Sequence, residues 1–298
     1  MKMISDVLKE TYGEKVYKLS LESGCTCPTR DGSKGTGGCS FCSASGSGEF
    51  AAPRTDSVKG LSVMLDEQIR DAKSRIAAKT DAEKFIAYFQ SFSNTYGDTG
   101  FLEELYTCAV KRDDIAVLSL GTRPDCIDSS ILSMLKRLNS IKPVWVELGL
   151  QTVHQATADM FGRGYGLDVF ERAYADLKEA GITVIVHVIL GLPGESREDM
   201  LDTVRYLSGL KPVLDGIKIH MLQILKGTRM GDEYLKKPFN MMTLEEYAYL
   251  VKDCIDILPE ETVIHRITGD GPKSLLIAPE WCKDKKRVLN TMRRIIGY

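Results

Sequence analysis

Three cysteines near the start of the chain have the type and spacing of metal ligands. Cys39 and Cys42 form a Cys-x-x-Cys pair on a glycine-rich loop, and eleven residues separate Cys39 from Cys27. Thiolates bind soft metals well, and three thiolates on one flexible loop suit an iron–sulfur cluster with one iron left open. An open iron could bind a substrate or a second cofactor, so the loop predicts chemistry rather than scaffolding.

Cys25, two residues before Cys27, leaves a second interpretation open. A Cys-x-Cys pair followed by a Cys-x-x-Cys pair could close a structural zinc site with four thiolates. The chain would then be a zinc-stabilised module that binds nucleic acid or protein without catalysis. A third hypothesis is an iron–sulfur hydratase, whose open iron would bind a hydroxy acid.

The composition is that of a water-soluble globular protein. Of 298 residues, 43% are apolar and 27% charged, and the net charge of −2 predicts no bulk attraction to nucleic acid. No apolar run approaches the roughly 20 residues of a membrane span, and the N-terminus lacks the apolar stretch of a secretory signal. We therefore expect a cytoplasmic protein with no membrane partner.

Strand and helix patterns alternate over the first 223 residues. Helical spacing predicts helices at 58–78, 101–110, 129–138, 167–180 and 198–207. Apolar and β-branched runs predict six strands at 15–22, 84–90, 115–120, 144–150, 182–190 and 216–222. This order predicts an α/β fold, either an open doubly wound sheet or a barrel, with functional loops at the C-terminal ends of the strands. Two further helices are predicted at 243–258 and 283–296, in a C-terminal region of different rhythm.

The strand order and the cysteine loop together resemble the radical S-adenosylmethionine (radical SAM) superfamily. Its common motif has three residues between the first two cysteines, so the gap of eleven is a departure. The longer gap is similar to that of one subgroup, the YhcC-like proteins, which are related to the catalytic subunit of Elongator. Further segments that resemble this subgroup are KFIAYFQSFSNTY, ELGLQT, HVILGLPGE, ILKGTRM and VIHRITGDGPKSLLIAPEWCKDK.

The resemblance implies an incomplete (β/α)6 barrel, with a radical SAM core over 1–223 and a small accessory region over 224–298. It implies a [4Fe-4S] cluster on Cys27, Cys39 and Cys42, whose fourth iron chelates S-adenosylmethionine. Reduction by an unidentified one-electron donor would then give a 5′-deoxyadenosyl radical, which abstracts hydrogen from an unactivated carbon. The kinship with Elongator implies a tRNA substrate, modified on the wobble uridine.

The resemblance also implies residues that contact the cofactors. Phe41 would pack beside the cluster and the adenine. Gln90 and Ser91 stand in place of the superfamily's glycine-glycine-glutamate loop, which meets the methionyl amino group.

Three more positions match cofactor contacts in the related coproporphyrinogen dehydrogenases, namely Gln151, Arg163 and His187. The planar guanidinium of Arg163 would suit the carboxylate of S-adenosylmethionine. His187 aligns with an Asp in those enzymes. Tyr165 stands where the subgroup usually has His after Arg163-Gly164.

Five polar residues are candidates for a substrate site. Glu147 lies in a strand and needs a partner if it points into the barrel, because a lone buried carboxylate is costly. Tyr96 is equally compatible with an ordinary loop aromatic. His265, Arg266 and Asp270 form a polar group that a salt-bridged junction would explain about as well as a substrate site.

The last predicted helix is strongly basic. A solvated basic face and a patch that binds RNA phosphates are equally compatible with this composition. One acid, Asp284, stands among its six basic residues, which are Lys283, Lys285, Lys286, Arg287, Arg293 and Arg294.

Overall fold

A computed structural model describes residues 1–54, 60–269 and 271–297. The strands in these ranges are β1 Lys2–Met3, β2 Val16–Leu21, β3 Lys84–Phe89, β4 Ile115–Thr122, β5 Val144–Gln151, β6 Thr183–Leu190, β7 Gly216–Met221, β8 Ile224–Leu225, β9 Val263–Arg266 and β10 Leu276–Ala278. The helices are α1 Ile4–Tyr12, α2 Leu61–Ile76, α3 Thr99–Val110, α4 Ser129–Asn139, α5 Gln155–Phe161, α6 Leu167–Glu179, α7 Arg197–Ser208, α8 Arg229–Lys236, α9 Leu244–Ile257 and α10 Lys285–Ile296.

Eight parallel strands form one curled half-barrel in the order β1-β9-β7-β6-β5-β4-β3-β2. The six strands predicted from the sequence, β2 to β7, lie next to one another in chain order, so the predicted α/β barrel is confirmed. Helices cover the outer face, where apolar side chains of both layers form the main core. The near-continuous apolar run of β6 fits a central strand of such a sheet.

The C-terminal region adds a strand to the same sheet. β9 pairs in parallel with β7, and the short β1 pairs with the outer side of β9. Neither strand was predicted. β1 has two residues and β9 has four, which are too few for a recognisable alternation of polar and apolar residues. The predicted boundary at residue 223 stays a prediction.

An unpredicted N-terminal helix closes the lower part of the barrel. Leu8 of α1 packs with Val16, Ile86 and Val117, which lie in the N-terminal halves of β2, β3 and β4. The Tyr12 hydroxyl donates a hydrogen bond to a carbonyl of β4 at 3.2 Å. The barrel interior is therefore apolar at this end, and its polar residues lie nearer the C-terminal ends of the strands.

The predicted helices are present with shifted ends, and α5 and α8 are additions. The predicted start of the first long helix, at residue 58, lies outside the described residues. α9 begins with a capping box, in which Thr243 and Glu246 exchange side-chain to backbone hydrogen bonds. In the described part of the chain no helix combines the length and the apolar character of a membrane span.

Candidate functional site

One cavity of about 300 Å³ connects the cysteine loop to the interior of the barrel. Cys27, Cys39 and Cys42 line it at the C-terminal ends of the strands, and Glu147 and Lys218 line it between the strands. This volume is at the lower end of the range for small-molecule sites. The cysteine loop therefore lies at the C-terminal ends of the strands, where the functional loops were predicted.

Each of the three thiols touches a different part of the fold. The Cys27 sulfur lies 3.3 Å from the Ser93 hydroxyl, and Cys39 donates a weak hydrogen bond to the Gly162 carbonyl at 3.7 Å. The Cys42 sulfur lies 3.9 Å from the hydroxyl of Ser47, within its own loop. The loop therefore meets the segments that follow β3 and α5.

Arg30 fixes the cysteine loop from behind. Its guanidinium donates to the carbonyls of Cys42 at 3.2 Å and of Ser43 at 2.5 Å. Gly38 is required beside it, because a Cβ there would lie 2.7 Å from Arg30 Nε and because its φ is +73°. The glycines of this loop thus serve close packing as well as turning.

Burial and neighbouring charge act in opposite directions on the thiols. Burial raises the pKa of Cys39 to about 12 and also raises the pKa of Cys27, while Arg123 and Arg30 lower both to a smaller extent. Metal ligation requires thiolates, so a metal centre here would displace protons from these sulfurs. Three convergent thiols beside two guanidinium groups form a donor set that fits an anionic iron–sulfur cluster.

Cys25 is separate from this group. Its sulfur packs near Leu102 and Gly97, on the side of the loop that faces the main core, and it is not among the described residues that line the cavity. Among the residues described, no three His, Cys, Asp or Glu side chains are close enough to hold one metal ion. A zinc ion needs four ligands at about 2.0–2.3 Å, whereas the ligands of a four-iron cluster stand further apart. The geometry therefore disfavours the zinc hypothesis.

Five of the six predicted cofactor contacts line the cavity, namely Phe41, Gln90, Gln151, Arg163 and His187. Phe41 packs against Phe161 with 5.1 Å between ring centroids, and the Gln90 amide donates to the Ser47 carbonyl. Gln151 has a φ of +66° and accepts a hydrogen bond from the Tyr165 hydroxyl at 3.4 Å. A non-glycine residue in this backbone region is uncommon and is typical of functional sites.

Ser91 is not among the described residues that line this cavity, unlike its neighbour Gln90. It is 4% exposed, and its hydroxyl lies 3.4 Å from Glu22 behind the cysteine loop. Its predicted contact with S-adenosylmethionine would require a rearrangement of this loop, so the contact stays a prediction.

Arg163 is almost fully engaged by the backbone. It is 1% exposed and donates to the carbonyls of Leu150, Thr152 and Tyr165 at 2.6–3.1 Å. A further hydrogen bond reaches Gln155 at 3.2 Å. A guanidinium has five N–H donors, so at most one is left for the predicted carboxylate contact. Arg163 primarily holds the turn after β5 in place.

Arg123, to which the sequence analysis gave no role in binding, also lines the cavity. It makes a bidentate ion pair with Asp125 at 2.9 Å and donates to the Arg163 carbonyl at 2.8 Å. Burial would lower the pKa of Arg123, but Asp125 outweighs burial and raises it. The positive charge beside the thiols is therefore permanent.

Glu147 is the centre of a polar network inside the barrel. Its carboxylate accepts hydrogen bonds from Lys18 at 3.0 Å, from Ser119 at 2.8 Å and from Lys218. The His187 ring nitrogen lies 2.8 Å from the same carboxylate. Four strands thus supply hydrogen-bond donors to the buried carboxylate of Glu147, which therefore has the partners that a buried acid requires.

The network fixes the charge of its members. Burial would raise the pKa of Glu147, but Lys18 and Lys218 outweigh it and hold the pKa well below its usual range. Burial lowers the pKa of His187 to about 4 and drives the pKa of Lys218 well below its usual range. At neutral pH we therefore assign an ionised Glu147 and a neutral imidazole at His187.

The other substrate-site candidates are dispersed. Arg266 lines the cavity, while the His265 ring packs edge-on against Trp145 at 5.2 Å. Tyr96 lies on the loop after β3, where its hydroxyl is 2.7 Å from that of Ser33. Asp270 lies outside the described residues.

The sequence analysis missed Lys18, Lys218 and Tyr88. The centroid of the Tyr88 ring lies 4.1 Å from Lys18 Nζ and 4.5 Å from Lys218 Nζ. A signal was available for Lys218, because a lysine between two isoleucines in an apolar strand is unusual for a buried position. Its partner on another strand could not be identified in this way.

Comparison with known proteins agrees with this geometry. The family model of the Radical SAM superfamily matches residues 32–207, and that of the Radical_SAM C-terminal domain matches residues 214–296. These two matches cover most of the described barrel and its C-terminal extension.

Individual relatives identify the subgroup. YtqA of Bacillus subtilis is 41% identical over 96% of this chain and 86% of its own length, and YhcC of Escherichia coli is 33% identical over 95% and 88%. A tRNA uridine(34) acetyltransferase of Methanocaldococcus jannaschii is 27% identical over 54% of the chain and 29% of its own length. The structure of Elp3 from Methanocaldococcus infernus shares the fold, with a TM-score of 0.64, 15% identity, and coverage of 94% of this chain and 63% of that protein. The predicted resemblance to YhcC-like proteins is confirmed.

Proposed function

The chain belongs to the radical SAM superfamily, and from this premise we propose that it holds a [4Fe-4S] cluster and cleaves S-adenosylmethionine reductively to modify the wobble uridine of tRNA. The observation that carries the proposal is the lining of one cavity by Cys27, Cys39 and Cys42. Held by these cysteines, a [4Fe-4S] cluster would supply the one-electron chemistry for reductive cleavage of S-adenosylmethionine.

Residues of the chain itself bind and orient the cofactors and line the path to them. Cys27, Cys39 and Cys42 would hold the cluster, and Arg123 would supply positive charge beside that anionic group. Arg30 holds the loop in position through the carbonyls of Cys42 and Ser43. Phe41 and Gln151 line the path into the barrel.

The cofactor proposal is tested on anaerobically purified protein. We expect about four irons per chain and release of 5′-deoxyadenosine on reduction with S-adenosylmethionine. Cys42→Ala should lose both, while Cys108→Ala, which changes a half-buried cysteine of α3, should retain both. Colourless protein with one zinc per chain would refute the proposal.

Two observations support a tRNA substrate. About half of this chain is similar to part of a tRNA uridine(34) acetyltransferase. The second is the basic face of α10, which packs on α9 and exposes five cationic side chains, namely Lys285, Lys286, Arg287, Arg293 and Arg294. Exposed cations on one helix suit phosphate contacts, which are independent of base sequence.

Charge reversal tests the RNA surface. Replacing Arg293 and Arg294 with Glu should weaken tRNA binding and reduce the slope of log K against log salt by about 0.7–0.9 for each lost phosphate contact. Reversal of Lys136 and Arg137 at the end of α4 is the matched control and should change neither quantity. Comparative nucleoside mass spectrometry of tRNA from a deletion strain tests the reaction, and an unchanged profile would refute a tRNA substrate.

A further inference from the structure

The polar network inside the barrel has two lysines and one carboxylate. Lys18 and Lys218 both contact Glu147, which supplies one negative charge between them. Lys18 is partly open to water, with 25% of its side chain exposed, whereas the side chain of Lys218 is 2% exposed. Lys218 therefore depends on its buried surroundings for charge compensation and shares its carboxylate with a second lysine.

Lys218 also has hydrogen-bonding capacity that the described residues do not use. An ammonium has three N–H donors, and the hydrogen bond recorded for Lys218 within the described ranges goes to Glu147. Lys218 lines the cavity, and burial disfavours its charged form unless a further anion is near. Its free donors are thus available to a molecule in the cavity.

His220 provides a second polar atom without a partner on the same strand. It stands two residues after Lys218 on β7, so the two side chains share a face of the sheet. The Nε2 atom of His220 is buried and has no hydrogen-bond partner in the described structure, although the residue lines the cavity. The ring lies 5.2 Å from that of His187, which is already bound to Glu147. Buried polar atoms without a partner are rare and call for a ligand or water.

We propose that Lys218 and His220 form an oxyanion subsite inside the barrel, which binds a carboxylate or phosphate group of the substrate. A bound oxyanion supplies the missing negative charge to Lys218 and accepts a hydrogen bond from His220 Nε2. Because the cysteines line the opposite end of the cavity, the subsite anchors one end of the substrate and directs the other toward the cluster. This inference rests on the proposed function only in assigning the anion to the substrate.

Histidine NMR tests the subsite directly. The chain has four histidines. His220 and His187 report on the subsite, while His154 at the start of α5 serves as an internal control, held by the Asp199 carbonyl. The full chain, carrying its oxidised cluster and 15N-labelled histidine rings, is titrated with acetate, inorganic phosphate and the neutral isostere acetamide at constant ionic strength.

We expect saturable shifts of the His220 and His187 signals with at least one of the two anions and none with acetamide, while His154 stays unchanged. Whichever anion binds more tightly identifies the group as a carboxylate or a phosphate. Lys218→Met should weaken binding at least about tenfold, the effect of losing one charge-assisted hydrogen bond. Lys218→Arg should retain it.

Equal shifts with acetamide, undiminished binding in the Lys218→Met variant, or the absence of any saturable shift would overturn the subsite. Displacement of the anion by S-adenosylmethionine would assign the site to the cofactor and overturn it as a substrate site. If Lys218→Met does not fold, His220→Phe decides, because it must weaken the anion effect on His187. The iron content and 5′-deoxyadenosine release are measured on the same samples, so a failure of the proposed function is distinguished from a failure of the subsite.

Discussion

Replacing Glu147 with glutamine removes the only negative charge that the described structure places between Lys18 and Lys218, and keeps the shape of the side chain. Removing one partner of a buried ion pair generally costs about 3–5 kcal/mol, because the other charge stays buried. Lys218 can lose its proton and Lys18 can reach water, which limits the cost. We therefore expect the lower value, about 3 kcal/mol.

Thermal unfolding of purified protein measures this loss. For a chain of this size, about 2 °C of melting temperature corresponds to 1 kcal/mol, so Glu147→Gln should lower the midpoint by roughly 6 °C. The control is Asp256→Asn, which removes an exposed partner of Lys252 and should change stability by less than about 0.5 kcal/mol.

The double variant Glu147→Gln/Lys218→Met separates the charge effect from packing. If the cost arises from the uncompensated ammonium, removing that ammonium should recover part of the lost stability. A loss below about 1 °C in the single variant, or strictly additive losses in the double variant, would refute the assignment of Glu147 as the charge that compensates Lys218.

Three further results are expected. Cys25→Ala should retain about four irons per chain while Cys39→Ala loses them, and iron loss in both would restore Cys25 as a ligand. The pKa of His187 is about 4 in the folded chain and 6.5 in the unfolded chain, so the unfolded chain takes up the proton first as the pH falls. The free energy of unfolding is therefore highest above pH 6.5 and falls by roughly 3 kcal/mol as the pH drops toward 4. Urea titrations should show that the free energy of unfolding depends less on pH in the His187→Asn variant. An unchanged pH dependence would contradict the assignment of this effect to His187. Calorimetry should show that Arg163→Met lowers the free energy of unfolding by about 3 kcal/mol or more, because it leaves buried carbonyls without a donor. Arg137→Met, which removes an exposed ion pair with Glu103, should change it little. Equal effects of the two substitutions would contradict the role of Arg163 in holding the turn after β5.

The parts of the fold that could be predicted are those with a local cause. β6 is a continuous apolar run, and such a run favours a buried strand whatever it pairs with. β9 has four residues, and it is a strand because β7 offers a free edge beside it. α1 likewise depends on the apolar end of the barrel that it covers. Elements of this second kind need a partner that lies far away in the sequence.

The candidate site divides in the same way. The spacing of Cys27, Cys39 and Cys42 predicted a metal centre, and all three line the cavity. The spacing could not tell which way Cys25 faces, because two residues of loop backbone allow either direction. The predicted pairing of Arg163 with a carboxylate followed from the family resemblance and the chemistry of the guanidinium, whereas its carbonyl partners became visible only in the folded turn.

The amino-acid sequence by itself determined the order of the six barrel strands, the cysteine loop and the membership of the radical SAM superfamily, because each depends on residues close together in the chain. The tertiary structure alone decided that Glu147 is ionised and that Lys218 and His220 retain unused hydrogen-bonding capacity inside the barrel. The physical reason is that charge and hydrogen bonding in a buried site are set by distance in space, and the contact between Lys18 and Glu147 joins residues 129 positions apart.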